Sequence, residues 1–379
     1  MSLFSSSQNS YLGIDFHSNN VKVVELKNEN GRPKLVTYGY VDLGFDQKMI
    51  GTDKNNQEII AKVISQVCRQ AKTTTINVVS ALPAHLVFGS ILTLSALPKK
   101  QFTDAINKEA EKVIPLPLNQ MVLDWKILKN NTVQGSINKN GKEQKVDSLG
   151  KVERRKNLKI EAEKKAKTVR ILLTAAPREA VKNYINIFKL AKLNLLTLDT
   201  EQFSLIRSLV GNDPSALMIV DIGFKVTNVM IVVGGVTFMQ RSVEVGGGLI
   251  TQSIAKRMQV DLSRAEQFKY DLSVTKSQDL KQSVPEDINV VLQAIFDEIK
   301  YSLEIYQKQG TIPIEKIILT GGSSLLLNLP EYMSSVFNLK VFRGDPWARV
   351  IYPDELKPVL DEIGARFAVS VGLAMRYIE

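Results

Sequence analysis

The sequence predicts an α/β protein made of two related lobes. Three observations support this fold class: a strand–turn–strand unit that occurs twice, glycine-rich turns between apolar strands and helical segments, and a composition typical of globular chains. The 379 residues are 44% hydrophobic and 23% charged, so the chain can bury enough apolar surface for two domains with sizeable cores. Disorder over most of the chain is therefore excluded.

The repeated unit is a pair of β-branched strands joined by a short polar turn, with an aspartate at the end of the first strand. Its copies lie at residues 11–26 and 217–233, and they align Asp15 with Asp221. Strands of this kind around a tight turn predict hairpins. Two matched hairpins so far apart in the chain indicate two homologous lobes that face each other.

Each aspartate also has a predicted chemical role. An aspartate at a strand end can hold Mg²⁺ through water, while the N–H groups of the following turn meet phosphate oxygens. Either copy alone is explained as well by an ordinary Asp-containing turn, but the matched pair favours phosphate binding. Asp15 and Asp221 are therefore predicted to converge on one cavity from opposite lobes and to hold a metal ion there.

Two glycine-rich turns predict further ligand contacts. One follows the apolar strand at residues 316–319, where a glycine backbone can approach a base or ribose closely. The other opens a helix predicted over residues 249–258, whose first turn can face phosphates. Strand-to-helix turns use glycine routinely, so each turn alone is weak evidence. The residues concerned are Gly246, Gly247, Gly321, Gly322 and Ser323.

Glu266 and Lys269 stand three residues apart on a predicted helix, so their side chains share one face. That face suits the hydroxyl groups of a ribose and the edge of a base. A second interpretation is purely local, because Ser263 and Glu266 fit a capping box in which the glutamate closes the start of the helix. The sequence leaves both interpretations open.

The carboxy-terminal segment, residues 361–377, is predicted to be a helix with a stripe of small residues, Ala365, Ala368 and Gly372. Such a stripe lets a second helix cross closely, and a candidate for that helix begins at Leu198. Core packing explains the small residues, so their expected function is a hinge between lobes rather than chemistry.

Residue counts exclude an internal disulfide, and they indicate that a zinc or haem site is not expected. Cys68 is the only cysteine, and His17 and His85 are the only histidines. We therefore expect a reducing compartment, the cytoplasm. Residues 1–9 are polar and serine-rich, so we expect no secretory signal, and no run of about 18 apolar residues occurs.

The positive charge of the chain is concentrated in one segment. The net charge is +10, and residues 129–167 contain twelve Lys or Arg against five Asp or Glu. This composition predicts a solvated, flexible insertion. A basic patch that contacts lipid head groups or an acidic partner is the alternative. Nucleic-acid binding is not expected, because the segment has no aromatic side chains to stack on bases.

Taken together, these segments resemble the actin-like ATPase superfamily and, within it, the family of the type IV pilus assembly protein PilM. The resemblance covers most of the chain. The Ile-Pro-Leu-Pro sequence at 114–117 and the final helix are the features that indicate PilM in particular. The matching segments are residues 13–15, 21–26, 97–100, 105–106, 109–112, 114–117, 124–125, 241–247, 251, 265–269 and 371–376.

The resemblance implies an actin-like (ribonuclease H-like) two-lobed α/β fold with an inserted FtsA/SHS2-like subdomain. The implied parts are the core of the first lobe at 9–83, the inserted subdomain at 84–197 with a basic loop at about 129–167, a connecting helix of the first lobe at 198–213, the second lobe at 214–360, and a hinge helix at 361–379.

The resemblance also implies ATP and Mg²⁺ as ligands. The first phosphate loop would be formed by Asp15, Ser18, Asn19 and Asn20, and the second by Asp221, Gly223 and Thr227. Gly246 and Gly247 would lie near the phosphates, Glu266 and Lys269 at the ribose and base, and Gly321, Gly322 and Ser323 at the adenosine. Glu201 would occupy the place of the water-orienting residue of hydrolysing relatives.

Two departures from the family pattern affect the expected activity. The first loop normally reads Asp-Ile-Gly, whereas this chain has Asp15, Phe16 and His17. A side chain at position 17 crowds a phosphate and disfavours a positive φ. In the second loop, Phe224 and Lys225 are bulkier than usual. We therefore expect ATP binding with weak or absent hydrolysis.

The implied function is that of a cytoplasmic adaptor at the inner face of the bacterial inner membrane, where it binds the cytoplasmic tail of a PilN-like membrane protein. Pilus motor or platform proteins are further expected partners, and membrane contact is peripheral. A small-molecule kinase is one alternative, but no acidic residue stands in a distinctive acceptor motif. An FtsA-like filament protein is the other, although the sequence stops at Glu379 without an amphipathic membrane helix.

Overall fold

A computed structural model of the chain describes residues 10–17, 19–44, 54–95, 99–128, 168–271, 286–309, 312–326 and 328–378. Ser18, residues 1–9 and the basic segment 129–167 lie outside these described residues. None of the described helices combines the length and the hydropathy needed to cross a membrane.

The chain forms two compact units. One contains residues 1–85 and 180–379, and the other contains residues 86–179. The strands of the described part are β1 Ser10–His17, β2 Asn20–Glu29, β3 Arg32–Asp42, β4 Asn77–Leu82, β5 Phe88–Ser95, β6 Met121–Leu128, β7 Thr168–Pro177, β8 Asn194–Thr200, β9 Ala216–Ile222, β10 Thr227–Val233, β11 Val236–Val243, β12 Lys316–Thr320 and β13 Lys340–Arg343. The helices are α1 Lys54–Gln70, α2 Lys99–Val113, α3 Arg178–Leu190, α4 Glu201–Leu205, α5 Gly247–Met258, α6 Leu262–Asp271, α7 Glu286–Lys308, α8 Leu329–Phe337 and α9 Lys357–Met375.

The first unit contains two five-stranded sheets of the same design. Their strand orders are β3-β2-β1-β4-β8 and β11-β10-β9-β12-β13. In each, three antiparallel strands form a meander, and two further strands run parallel to the first strand. Every strand of one sheet therefore has a counterpart in the other, and the duplication predicted from the sequence is present in the fold. We call the two halves the first lobe and the second lobe.

The two aspartate hairpins also agree in register. Asp15 of β1 pairs with Lys22 of β2, and Asp221 of β9 pairs with Asn228 of β10. Six residues separate the partners in each hairpin, so His17 and Gly223 occupy equivalent positions. β1 continues through His17, so the backbone there is extended and has no positive φ.

Helix α9 holds the two lobes together through a shared core. Ala368 and Leu373 pack with Val79 of the first sheet and with Leu217 of the second. On another side of the helix, Phe367 packs in a separate cluster. The inner strands are buried on both faces, which explains why β9 is apolar along most of its length. The helix begins at Lys357 rather than at the predicted residue 361.

The predicted small-residue stripe on α9 lies at close crossings. A Cβ atom on Gly372 would lie 2.0 Å from the carbonyl oxygen of Ser204, which belongs to α4. A Cβ atom on Gly13 of β1 would lie 1.9 Å from the carbonyl oxygen of Ser370. Both approaches are too close for any side chain, so both positions require glycine. The predicted crossing between the final helix and the segment that begins near Leu198 is therefore present.

The second unit is built around a three-stranded antiparallel sheet with the order β5-β7-β6. Phe102 and Ile106 of α2 pack on this sheet, and so does Ile114 from the Ile-Pro-Leu-Pro segment. The unit ends at residue 179, whereas the sequence-based division extends the inserted subdomain to residue 197. Within the predicted range, β8 pairs in parallel with β4 of the first lobe, and the predicted division into parts stays a prediction.

A surface ion pair in the second lobe gives a prediction about pH. The hydrogen bond from Lys316, together with the Ser215 N–H, lowers the pKa of Asp213 to about 2. Because this value lies below that of an unfolded aspartate, the pair stabilises the fold fully above about pH 4 and loses this effect as the pH falls through about 2. We expect Asp213→Asn to lower the free energy of unfolding at pH 7 by about 1 kcal/mol, the upper range for a partly exposed pair.

Urea unfolding of the wild type and of Asp213→Asn between pH 7 and pH 2 measures this effect. The two free energies should converge at the acid end. Asp104→Asn, on an exposed part of α2, is the matched control and should track the wild type throughout. A constant difference between the wild type and Asp213→Asn across the pH range would contradict the assignment.

Candidate functional site

A cavity of about 1030 Å³ in the first unit is lined by residues from both lobes. Its volume is at the upper end of the roughly 300–1,000 Å³ found for pockets that hold organic ligands. Asp15 from the first lobe and Asp221 from the second both line it. The two aspartates thus share a single cavity, as the duplicated hairpins predict.

Most of the residues singled out in the sequence line this cavity. They are Asp15, Asn19, Asn20, Glu201, Asp221, Gly223, Glu266, Lys269, Gly321, Gly322 and Ser323. Thr227, Gly246 and Gly247 are not among its lining residues, and Ser18 lies outside the described residues. Asn19 and Asn20 come from the tip of the first hairpin, so both hairpin loops reach the same space.

Asp15 is buried and has a cationic partner. Its side chain is 5% exposed, and its Oδ2 lies 3.2 Å from the Nζ of Lys22. A buried carboxylate needs such compensation because the loss of its water costs several kcal/mol. Lys22 also lines the cavity. The hairpin register predicts this contact, since cross-strand neighbours lie side by side.

Asp221 lies directly beside the glycine turn that follows β12. β12 runs parallel to β9 and pairs Thr320 with Asp221, so the turn begins next to the carboxylate. Gly321 has a φ of +84°, and a Cβ atom on it would lie 2.6 Å from the Oδ1 of Asp221. Glycine is required there by both backbone conformation and space. A Cβ atom on Gly322, in contrast, would have nothing within 4 Å.

The second hairpin loop is held by close contacts and hydrogen bonds that involve Gly246, Gly247 and Thr227. The N–H of Gly247 donates to the carbonyl of Gly223 at 2.9 Å. Thr227 is buried, and its hydroxyl donates to the carbonyl of Val245 at 2.7 Å. None of the three is among the residues that line the cavity, and their placement near the phosphates stays a prediction.

Glu266 and Lys269 form a tight cluster with Thr251 of α5. The Nζ of Lys269 lies 2.6 Å from Oε1 of Glu266 and 3.1 Å from the hydroxyl of Thr251, and that hydroxyl also bonds Glu266. The Lys269 side chain is 4% exposed. Burial lowers the pKa of Lys269, and the carboxylate of Glu266 opposes this shift. The cluster therefore presents a fixed, charge-paired surface to the cavity.

The capping-box interpretation of Glu266 is wrong. Helix α6 begins at Leu262, so Ser263 lies within the helix. The cap is provided by Asp261, whose Oδ1 accepts the N–H of Arg264 at 2.9 Å. Glu266 is thereby left to face Thr251, Lys269 and the cavity.

Glu201 is held at the start of α4 by a backbone contact. Its Oε2 accepts the N–H of Ala84 at 2.7 Å, and its side chain is buried. The helix start itself is fixed by Thr200, whose hydroxyl accepts the N–H of Phe203. The carboxylate thus lines the cavity in a defined orientation.

Phe16, a departure from the family pattern, packs away from the cavity. Its ring stacks on Tyr184 of α3 at 4.6 Å and lies 5.9 Å from the ring of Phe188. Phe16 therefore contributes to the core of the first lobe.

Burial raises the pKa of Tyr184 well above its usual range, and the charges of Glu201 and Asp15 raise it further.

Sequence reasoning missed several charged residues of the cavity wall, because distant segments bring them there. Counting the predicted and the missed residues together, the carboxylates of the cavity wall are Asp15, Asp42, Glu201, Asp221, Glu244 and Glu266. The cations of the wall are Lys22, Lys225, Lys269 and Arg366, and His85 lines it too. Six carboxylates against four cations give a net charge of −2 when all are ionised. An accompanying cation would therefore favour the binding of a highly charged anion such as a polyphosphate.

Few protein ligands are available for such a cation. Within the described residues, no group of three or more His, Cys, Asp or Glu side chains is placed to hold a metal ion. Two carboxylates completed by water and phosphate oxygens suit Mg²⁺, which keeps several waters and is usually bound through one or two carboxylates. The donor set around Asp15 and Asp221 therefore fits magnesium better than zinc.

Comparison with known proteins identifies the family. A family model of the type IV pilus assembly protein PilM matches residues 13–141 and 156–378. The chain belongs to this family. The match spans both lobes and most of the second unit, and it includes the residues that line the cavity.

Solved structures show the same fold. A chain of a PilM–PilN type IV pilus biogenesis complex is 24% identical, with 97% of this chain and 98% of that chain covered and a TM-score of 0.76. The ethanolamine utilization protein EutJ from Carboxydothermus hydrogenoformans is 12% identical, with 96% and 89% covered and a TM-score of 0.52. A diol dehydratase-reactivating factor in nucleotide-free form is 11% identical, with 97% and 99% covered and a TM-score of 0.50. The actin-like α/β fold predicted from the sequence is confirmed.

Proposed function

We propose that this PilM-family protein is a nucleotide-binding cytoplasmic adaptor of the type IV pilus inner-membrane assembly complex. It binds MgATP in the cavity between the lobes and the cytoplasmic tail of a PilN-like membrane protein elsewhere on its surface. The observation that carries the nucleotide part is the presence of Asp15 and Asp221 on one cavity wall. Family membership and the PilM–PilN relative support the partner.

The phosphates of the nucleotide lie between the two hairpin loops in this proposal. Asp15 and Asp221 hold Mg²⁺ through water, and Lys22 and Lys225 offset the phosphate charge. The net negative charge of the wall makes the metal a requirement for binding rather than an accessory. Asn19 and Asn20 supply polar groups at the tip of the first loop, and Ser18, which lies outside the described residues, stays a predicted member of that loop.

In this proposal the nucleoside lies in the second lobe, at the glycine turn that follows β12. Glu266 and Lys269, held rigid by their mutual pairing, contact the ribose and the base edge. The backbone of Gly321 and Gly322 lies along the flat face of the base, where the open space at Gly322 allows close approach. Ser323 completes this end of the site.

Hydrolysis is weak or absent in this proposal. Glu201 stands where a water-orienting residue is expected, but one of its oxygens accepts the Ala84 N–H. A carboxylate engaged in this way is less able to take a proton from water, so binding rather than turnover sets the state of the protein. ATP then serves as a ligand that favours one arrangement of the lobes.

The proposed location is the inner face of the bacterial inner membrane, where pilus motor or platform proteins are further candidate partners. The surplus of seven positive charges in residues 129–167, twelve against five, attracts anionic lipid head groups or an acidic partner protein. Membrane contact is peripheral, and nucleic acid is not a partner.

Isothermal titration calorimetry tests both parts. We expect one MgATP to bind per chain, with binding lost in EDTA, and a synthetic peptide of the PilN-like tail from the same bacterium to bind with an affinity that depends on the nucleotide. A scrambled peptide of the same composition is the control. Absence of peptide binding without nucleotide, with MgADP and with MgATP would rule out the adaptor function, whereas absence of MgATP binding alone would rule out only the nucleotide part.

A further inference from the structure

Strand β6 forms one edge of the three-stranded sheet in the second unit. Among the strands of the described residues, β7 is its one neighbour in that sheet. The two pair from Met121 to Leu128 without a shift of register. This length of 8 residues exceeds the usual strand length of about 5–6. A long, regular edge strand is a template on which another strand can pair, and native proteins normally shorten, bend or cover such an edge.

Large apolar side chains are exposed along this edge. Val122 and Trp125 are each 37% exposed, and Ile127 is 51% exposed. The ring of Trp125 lies 5.5 Å from that of Phe102, so it is on the face of the sheet that α2 covers. All the exposed large apolar side chains described for the second unit fall within residues 113–127. Apolar exposure concentrated at one edge is typical of a surface that another protein covers.

Asp124 and Lys126 are the two charged residues of β6, and they stand on either side of Trp125. Both are exposed. Oδ1 of Asp124 accepts the N–H of Trp125 at 2.9 Å, so the carboxylate stays close to the strand. Because alternate side chains of a strand share a face, both charges lie on the face opposite to Trp125. The edge thus presents one negative and one positive charge two residues apart.

The spacing of these charges makes β6 complementary to itself. When two copies of the strand pair antiparallel around Trp125, Asp124 of each copy lies opposite Lys126 of the other, and this contact forms twice. Moving the centre by one residue places Asp124 opposite Asp124, or Lys126 opposite Lys126, and like charges in opposite positions are destabilising. The charges therefore select the register that is centred on Trp125.

The other pairs in this register are apolar. Leu123 lies opposite Ile127 of the second copy, and Val122 lies opposite Leu128, so these contacts also form twice. The antiparallel orientation further separates the two basic segments, which begin directly after Leu128. The Leu128 residues of the two copies lie roughly 20 Å apart along the strands, which exceeds the screening length of about 8 Å at physiological salt. A parallel pair would bring the two segments together.

We propose that the β6 edge is a self-association surface and that its occupant is β6 of a second copy of this chain. The two three-stranded sheets then join into one sheet of six strands, with a two-fold axis at Trp125. The two Trp125 side chains lie beside each other and lose exposure. One strand from each copy buries a small area, so the dimer is weak and reversible. The proposal depends neither on a nucleotide nor on the tail peptide.

Sedimentation equilibrium of the full chain, with the two charges exchanged, tests the proposal. Asp124→Lys and Lys126→Asp each place like charges opposite one another twice, so we expect each to weaken dimerisation about tenfold or more. The double variant Asp124→Lys/Lys126→Asp restores opposite charges and should dimerise as the wild type does. Asp104→Lys, on an exposed part of α2, makes the same change of net charge and should have no effect. All four variants should keep the wild-type urea midpoint.

Tryptophan fluorescence gives a second readout. The chain has 2 tryptophans, and Trp347 is only 1% exposed, so a change of emission with concentration reports on Trp125. We expect a shift to shorter wavelength as the wild type dimerises, and no such shift at the same concentrations in the two single variants.

Three outcomes would overturn the proposal. The first is a wild type that stays monomeric from the nanomolar to the high micromolar range. The second is a dimer that both single variants leave intact, and the third is a double variant that fails to recover dimerisation. If a monomeric wild type binds the tail peptide and the single variants lose that binding, the edge is occupied by the peptide instead of a second copy.

Discussion

Asp221→Asn is expected to weaken the binding of MgATP about a hundredfold or more. The amide has nearly the shape of the carboxylate, so it fits beside Gly321, where a Cβ atom would lie only 2.6 Å from Oδ1. It carries no charge, however, and cannot offset Mg²⁺. Removing one member of a buried charged contact costs about 2–5 kcal/mol, which corresponds to this loss of affinity.

Titration calorimetry in Mg²⁺ and in EDTA measures the effect. The wild type should lose affinity on removal of the metal, whereas Asp221→Asn should bind equally weakly in both conditions. Asp354→Asn, a matched substitution at an exposed carboxylate outside the cavity wall, should behave as the wild type. Wild-type affinity in Asp221→Asn would show that the second hairpin does not hold the metal. The corresponding change at Asp15 is less clean, because it also leaves Lys22 without its partner.

The parts of the site that can be predicted from the sequence are those that a pattern of neighbouring residues encodes. Each aspartate hairpin lies within about seventeen residues and combines β-branched strands with a polar turn. The similarity between the copies is therefore visible without any contact map. The sheets confirm it, since Asp15 and Asp221 have cross-strand partners at the same spacing.

Contacts between distant segments are what the sequence does not reveal. Gly247 opens a helix, as predicted, but its N–H bonds the carbonyl of Gly223 from the preceding hairpin. No local pattern indicates that this donor is already used. Likewise, Arg366 and His85 reach the cavity wall from segments far apart in the chain, and neither stands in a motif of its own.

The start of α6 and the assignment of β8 to a sheet also depend on more than one local pattern. Asp261 and Ser263 are both good capping residues, and the two-residue difference between them decides whether Glu266 closes a helix or faces the cavity. β8 has a polar start at Asn194 and an exposed Leu196, as an edge strand does. Its assignment to the first lobe depends on pairing with β4, more than a hundred residues earlier.

Gly372→Ala is expected to lower the free energy of unfolding by about 3 kcal/mol, the upper part of the usual range for overpacked cores. The added Cβ atom would lie 2.0 Å from the carbonyl oxygen of Ser204 and 2.6 Å from its carbonyl carbon. Both are backbone atoms, so no side-chain rotation relieves the clash, and α9 must move away from α4. Arg207, which donates to the carbonyl of Gly372 at 2.5 Å, loses its geometry at the same time.

Urea unfolding of Gly372→Ala and of Gly89→Ala separates this clash from the general effect of replacing glycine. Gly89 lies in β5 with nothing within 4 Å of an added Cβ atom, so alanine there should be neutral or slightly stabilising. Equal stability of Gly372→Ala and the wild type would mean that the helices cross with room to spare.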